Sequence, residues 1–345
     1  MNSIVKVLVV DDSAYVRKMV TQMLARSPFV EVVATARDGA EALEVAAETM
    51  PDVITCDLNM PEMGGVEFVR QQMARRAVPI VIISVASQAG EQVLAALDAG
   101  AVDFLQKPTA LATDKLLDIA DELIAKVKAA AGAPVGRIVA ATIALPVALP
   151  ARRIGPGNVD VVVLGISTGG PQALKRIFPQ LPADLPVPIA VVIHMPVGYT
   201  ELYSERLNEM SQLTVKEAAE GDVLLPATVY IAPGGRHLSL HRVGGRVTAH
   251  LDVRPLDTPH RPSVDVLFQS ASEAYGARVL GVVMTGMGAD GRDGSAWIKA
   301  AGGRILTEAE ESCVVYGMPR SVVEAGLSDA NAPLDGMIAA ILERL

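Results

Sequence analysis

Aromatic side chains are scarce in this 345-residue chain: Phe, Trp and Tyr make up 3% of it, with a single tryptophan. Half of the residues are nonetheless hydrophobic, so the cores have to be assembled from Val, Ile, Leu, Ala and Met. That composition suits buried parallel strands. Clusters of Lys and Arg are also missing, and the formal net charge is −9. A nucleic-acid surface, which needs concentrated positive charge against phosphate, is therefore disfavoured. Cysteine is limited to Cys56 and Cys313, far apart in sequence and each in or beside an apolar stretch; both are expected to be reduced small hydrophobes. Segment 138–149, the most apolar connecting stretch, falls short of the ~20 residues a bilayer requires and is interrupted by Pro146. Residues 1–6 hold no basic segment followed by a long apolar one. A cytoplasmic protein, not embedded in a membrane, is the expectation.

What is present is a rhythm. Short apolar runs at 6–10, 30–34, 52–56, 79–85 and 101–105 alternate with amphipathic stretches, which predicts five βα units. Segment 129–156, rich in Ala, Pro, Gly and Val, reads as a linker, and its hydrophobicity suggests that part of it packs between domains. Beyond Asn158 the rhythm resumes with strands at 160–164, 189–193, 229–232, 279–284 and 304–306. The hairpin signal Val243-Gly244-Gly245-Arg246 interrupts it. The expected architecture is α/β with three segments: a five-stranded parallel doubly wound domain over 1–124, a terminal helix and linker over 125–157, and a doubly wound, mostly parallel domain with an antiparallel hairpin over 158–345.

In open parallel sheets, functional groups gather where loops leave the carboxyl ends of strands. Asp11, Asp12, Asp57, Ser84 and Lys107 all fall at or just after such ends. Three converging carboxylates repel one another, and a hard cation with oxygen ligands, Mg²⁺ by preference, would neutralise them. The cation and the Lys107 ammonium would let Asp57 attack a phosphoryl donor, with Ser84 hydrogen-bonding the product. The bland alternative makes Asp11 and Asp12 helix caps and Lys107 a loop charge.

Val9-Val10-Asp11-Asp12-Ser13, Asp57-Leu58-Asn59-Met60-Pro61, Ser84 and Lys107-Pro108 together resemble a response-regulator receiver domain, of flavodoxin-like fold, across about the first 125 residues. The resemblance implies phosphorylation of Asp57 by a sensor histidine kinase. It also implies metal binding by Asp12, Asp57 and the Asn59 carbonyl, assisted by Asp11. Phe104 matches the family's aromatic switch position, although an inward-facing strand residue explains it equally well. Two departures concern the switch surface: Gly64-Gly65 stands where Asp-Gly is usual, and Val85-Ala86-Ser87 follows Ser84 where a more polar run is common.

The second constellation begins at Gly165-Ile166-Ser167-Thr168-Gly169-Gly170-Pro171, which follows an apolar strand and opens a helix. Ser167 would sit at a tight strand-to-helix turn beside backbone amides, good ground for an oxyanion; the alternative is a glycine-rich cap with Ser167 as N-cap. The strand at 189–193 ends in His194, and the one at 279–284 leads to Asp290. A hydroxyl, an imidazole and a carboxylate beyond three apolar strands are the parts of a Ser-His-Asp hydrolase. Taking His260 as base with Asp222 or Asp252 would restore the α/β-hydrolase chain order, but those residues lie in the hairpin and loop region. A further rival is Gly286-Met287-Gly288-Ala289-Asp290-Gly291, with Glu308 beyond the next strand, which spells a dinucleotide fingerprint. Asp290 would there face a pyrophosphate.

Segments 165–171, His194-Met195-Pro196, Pro233-Gly234, His260-Arg261-Pro262-Ser263-Val264-Asp265, 284–291 and 314–319 resemble the catalytic domain of the chemotaxis protein-glutamate methylesterases. This family likeness implies hydrolysis of glutamate methyl esters, and deamidation of glutamines, on the cytoplasmic helices of chemoreceptors. Ser167 would be the nucleophile, His194 the base, Asp290 its orienter, Met287 an oxyanion donor and Thr168 an aid near the nucleophile, with no cofactor. The domain order suggests that the unphosphorylated N-terminal domain restrains the hydrolase. A non-enzymatic alternative is a phosphorylation-dependent binding module whose hydrolase-like fold is idle.

Overall fold

The computed structural model describes residues 4–85, 90–107, 113–133 and 158–345, and for residues 85 and 113–118 the backbone alone. The segment 86–87 following Ser84, Pro108 and most of the linker, where interdomain packing was expected, lie outside the described residues. The chain separates into two compact units, 1–144 and 145–345.

The first unit alternates β1 (Val5–Val10), α1 (Ala14–Leu24), β2 (Val30–Ala36), α2 (Gly39–Thr49), β3 (Val53–Cys56), α3 (Gly65–Arg75), β4 (Ile80–Val85), α4 (Gly90–Asp98), β5 (Asp103–Lys107) and α5 (Thr113–Ala131). Its sheet is parallel in the order β2-β1-β3-β4-β5. Val7, Leu8, Ile54 and Ile82 are wholly buried, as expected of strands covered on both faces. Local signals set the helix starts: the Asp38 carboxylate accepts from the Glu41 amide at 2.9 Å while the Glu41 carboxylate accepts from the Arg37 amide at 2.8 Å, a reciprocal cap. Helix α5 runs on to Ala131, past residue 129 where the linker was expected to begin, because Val127 and Ala130 continue its buried stripe.

The second unit contains β6 (Val161–Ile166), α6 (Gly170–Ile177), β7 (Ile189–Ile193), α7 (Thr200–Met210), β8 (Thr214–Glu217), β9 (Thr228–Ile231), β10 (His237–Val243), β11 (Arg246–Asp252), α8 (Val264–Tyr275), β12 (Val279–Val283), α9 (Arg292–Ala300), β13 (Arg304–Glu308), α10 (Met318–Glu324), β14 (Ala330–Ala332) and α11 (Met337–Leu342). Seven strands form a parallel sheet in the order β14-β13-β12-β6-β7-β9-β8. The edge strands β8 and β14 carry no apolar run in the sequence, and pairing with β9 and β13 alone makes them strands. The hairpin turns through Gly244 and Gly245, both with positive φ of 54° and 83°. It forms a separate two-stranded sheet, tied to α8 by the Leu240 amide donating to Ser270 Oγ at 3.0 Å.

The order of strands creates the site. From β6 the chain steps to β7 on one side, and β12 later joins β6 on the other, so β6 is a topological switch point. The crevice beyond its carboxyl end is where the loops after β7 and β12 meet the loop after β6. Among the described residues no helix is long and apolar enough to cross a membrane.

Candidate active site and phosphoacceptor site

In the first unit, Asp11 follows β1, Asp57 follows β3 and Lys107 ends β5. The Lys107 ammonium lies 2.7 Å from Asp11 Oδ2 and 3.0 Å from Asp57 Oδ2, with all three side chains nearly buried. Burial raises the Asp11 carboxyl despite the opposing pull of Lys107. Burial alone would lower the Lys107 ammonium, but the two carboxylates outweigh it and raise it. Carboxylate oxygens of Asp11, Asp12 and Asp57 fall within 4.8 Å of one another, with Asp12 exposed. That oxygen-only, acidic donor set fits a hard divalent cation. Asn59 is exposed on the loop after β3. Ser84 is 1% exposed and its hydroxyl has no hydrogen-bond partner among the described residues. Phe104 is buried. Gly65 is demanded by close approach: a Cβ there would stand 2.2 Å from the Asp57 carbonyl oxygen. Asp11 also does what the bland reading asked, since its Oδ1 accepts from the Ser13 amide at 2.9 Å.

In the second unit, Ile166 of β6 pairs with Ile193 of β7, and Val283 of β12 with Gly165. Ser167 and His194 are therefore the residues immediately beyond one pair of neighbouring strands. The His194 amide donates to the Ile166 carbonyl at 3.2 Å, and the Ser167 amide to the Thr285 carbonyl at 2.9 Å. His194 Nε2 lies 2.8 Å from Asp290 Oδ2, across 96 residues of sequence. Both side chains are under a tenth exposed. Burial works to raise the Asp290 carboxyl, but the His194 hydrogen bond and charge and the amides of Val264 and Asp265 hold it well below the usual carboxylate range. An ionised Asp290 accepts the proton on Nε2, which leaves the lone pair on Nδ1. Nδ1 is buried and has no hydrogen-bond partner among the described residues, so it is the nitrogen open to a hydroxyl proton.

Ser167 is not the cap of α6: Gly169, with φ 80°, takes that position. The third loop presses against the serine at Gly286, where a Cβ would come within 2.7 Å of Ser167 Cβ and 2.4 Å of Met318 Sδ. Thr168 is buried, its carbonyl accepting from Thr285 Oγ1 at 3.0 Å. Met287 is half-buried on the same loop.

The rival arrangements do not assemble. Asp222 is ion-paired with Lys216 at 2.9 Å, and Asp252 accepts from the Arg254 amide at 3.1 Å. His260 instead stacks on His194, ring centroids 4.1 Å apart and 24° between planes. The dinucleotide spelling fails because its helix start is taken: the amides of Gly291 and Gly294 both donate to Asp265 Oδ1. Glu308 is 1% exposed and bonded within the loops. Cys56 and Cys313 are free and buried. Sequence reasoning gave His260 a part only in a rival, and gave Ser263 and Asp265 none. Their signal was the segment 260–265, whose value is visible only when α8 meets Asp290.

Residues 162–341 match the family model described as CheB methylesterase, and residues 7–120 that of the response regulator receiver domain. The chain is 49% identical over 336 residues to the protein-glutamate methylesterase/protein-glutamine glutaminase 5 of Myxococcus xanthus, covering 97% of this chain and 96% of that protein. A protein-glutamate methylesterase/protein-glutamine glutaminase of Geobacillus kaustophilus is 43% identical over 342 residues, 98% of each chain. The crystal structure of the Thermotoga maritima CheB methylesterase catalytic domain aligns at TM-score 0.53 and 43% identity, covering 54% of this chain and 99% of that one.

Glu308 braces the Ser167 loop through Thr285. Its Oε2 accepts from the Thr285 amide at 2.9 Å and its Oε1 from Ser312 Oγ at 2.9 Å, while the Thr285 carbonyl takes the Ser167 amide. Burial pushes the Glu308 carboxyl up to about 7, against those two hydrogen bonds. The folded-state value lies above the unfolded one, so the stabilisation is complete below about 4.5 and is lost as the pH rises through about 7. Glu308→Gln, neutral at every pH, is expected to flatten this decline; thermal melts across that window check it, and an unchanged slope would refute it.

Proposed function

The chain belongs to the CheB methylesterase family, with a response regulator receiver domain in its N-terminal unit, and from that premise we propose that it hydrolyses glutamate methyl esters, and deamidates glutamines, on the cytoplasmic helices of chemoreceptors under control of phosphorylation at Asp57. The observation that carries this is the Asp290–His194 hydrogen bond at 2.8 Å beside Ser167 on the next strand of the switch point.

Ser167 Oγ attacks the ester carbonyl carbon while its proton passes to His194 Nδ1. Asp290 holds the proton on Nε2 and stabilises the imidazolium that forms. The Met287 amide bears the tetrahedral oxyanion, and Thr168 aids the nucleophile. The intermediate collapses as His194 gives its proton to the ester oxygen, which leaves as methanol, or to the amide nitrogen, which leaves as ammonia. Water, deprotonated by His194, then attacks the acyl-serine and frees glutamate and Ser167.

In the N-terminal unit Asp57 takes the phosphoryl group from a sensor histidine kinase. Asp11, Asp12, Asp57 and the Asn59 carbonyl would hold a divalent cation, Mg²⁺ by charge and ligand type, whose positive charge offsets that of the phosphoryl oxygens. Lys107 pairs with the phosphorylated side chain, Ser84 donates its unpartnered hydroxyl to it, and Phe104 packs beneath as the switch aromatic. In this reading residues 1–124 are the receiver, 125–157 its terminal helix and the linker, and 158–345 the hydrolase, which works in the cytoplasm on a protein substrate and not on nucleic acid. The hydrolase needs no cofactor.

Ser167→Ala should cut demethylation of receptor membranes on the order of 10⁴-fold or more, because nucleophile and base act as a unit. Retained activity, measured by mass spectrometry of receptor glutamates, would leave only a binding module. Asp57→Asn should abolish stimulation by a small phosphodonor; stimulation that persists would remove Asp57 from the switch. Gly286→Ala, which forces the third loop off Ser167, is expected to slow kcat roughly tenfold to a hundredfold in the same assay.

A further inference from the structure

Asp265 lies outside the Ser167, His194 and Asp290 set, yet it is bound to Asp290 by a crossed pair of helix caps. The Asp290 carboxylate accepts from the Val264 amide at 2.8 Å and the Asp265 amide at 2.9 Å, in the first turn of α8. In return, Oδ1 of Asp265 accepts from the Gly291 amide at 2.9 Å and the Gly294 amide at 2.6 Å, at the start of α9. Neither helix caps itself, for Ser263 and Gly291 make no side-chain cap bond. Each therefore takes from the other the acid that its free amides and positive end require. Ser263 Oγ turns instead to Asp290 Oδ1 at 3.0 Å. The exchange needs the two backbones close together, and Gly294 permits it: a Cβ there would stand 2.6 Å from Phe268 Cβ and 2.9 Å from Asp265 Cα.

We propose that Asp265 is a positioning residue for the hydrolysis, fixing the turn at Gly291–Gly294 so that the Asp290 carboxylate stays within hydrogen-bond reach of His194 Nε2. This rests on the assignment of Ser167, His194 and Asp290 as the reacting set. Asp290 immediately precedes the turn that Asp265 ties down, and it is the group that fixes the imidazole. Removing the Oδ1 acceptor strands two amides at the start of α9, the turn relaxes, and Asp290 is displaced with it.

Asp290 and Asp293 lie near Asp265, Arg292 feels its charge, and His194 and His237 both feel that of Asp290. Burial, reinforced by the Asp290 charge and despite the Gly294 amide, pushes the Asp265 carboxyl up to about 6.

The test is steady-state hydrolysis of a γ-glutamyl methyl ester peptide by the full chain with a small phosphodonor. Asp265→Ala is expected to lower kcat on the order of a hundredfold with KM nearly unchanged. It should also abolish the far-downfield proton resonance of His194 Nε2–H bonded to Asp290. Asp265→Asn keeps the single oxygen that both amides use, so it should restore both kcat and the resonance. An Ala variant as fast as the parent, or an Asn variant as slow as Ala, would overturn the inference. If the Ala variant does not fold, the Asn variant decides alone, a kcat far below the parent's or a lost resonance counting against the inference. Full activity of Asp290→Asn would remove the underlying assignment as well, whereas a slow Asp290→Asn beside a parent-like Asp265→Ala would remove only this one.

Discussion

A carboxylate withdrawn from water has to be met by donors, and much of the C-terminal unit is arranged to meet one. Leaving a buried charge unpaired costs several kcal/mol. Asp290 avoids that cost with four donors: Ser263 Oγ, the amides of Val264 and Asp265, and the His194 ring. Two of the four belong to the start of α8, a region of positive potential. The same set of bonds explains why the carboxylate remains ionised, which nitrogen of His194 carries the proton, and why α8 and α9 approach closely enough to require Gly294.

The N-terminal unit solves a related problem by different means. Its three aspartates also gather at the carboxyl edge of a parallel sheet, but the compensating charge comes from the Lys107 side chain rather than helix amides. An ammonium on a flexible stem can change partners when a phosphoryl group arrives. Amides at a helix start are fixed, which suits a carboxylate hydrogen-bonded to an imidazole. Both sites use strand ends, where the backbone is rigid and the loops beyond it are free to carry chemistry.

The supporting layer is also polar and satisfied. Glu308 links the Thr285 amide to Ser312, while Thr285 links the loops after β6, β12 and β13 through its own amide, carbonyl and hydroxyl. Such networks hold a loop in place only when every member has a partner. Gly286 complements them by subtraction, since its missing side chain is the space that Ser167 occupies.

The twelve strands that carry apolar runs or a Gly-Gly turn were legible in the sequence to within a few residues, because alternation and turn chemistry are local properties. So were the strand-end positions of Asp11, Asp57, Ser167 and His194. The edge strands β8 and β14 were not, since Thr-Val-Lys-Glu and Ala-Asn-Ala become strands by pairing with a neighbour. Nor could the sequence show that His260 stacks on His194, that Asp265 and Asp290 exchange helix starts, or that Glu308 faces inward. Local pattern along the chain sets which side chains stand at the ends of strands; the strand order β12-β6-β7 sets which of them meet. Periodicity is written residue by residue along the chain, whereas adjacency across 96 residues follows from how separate strands share one sheet and bury one core.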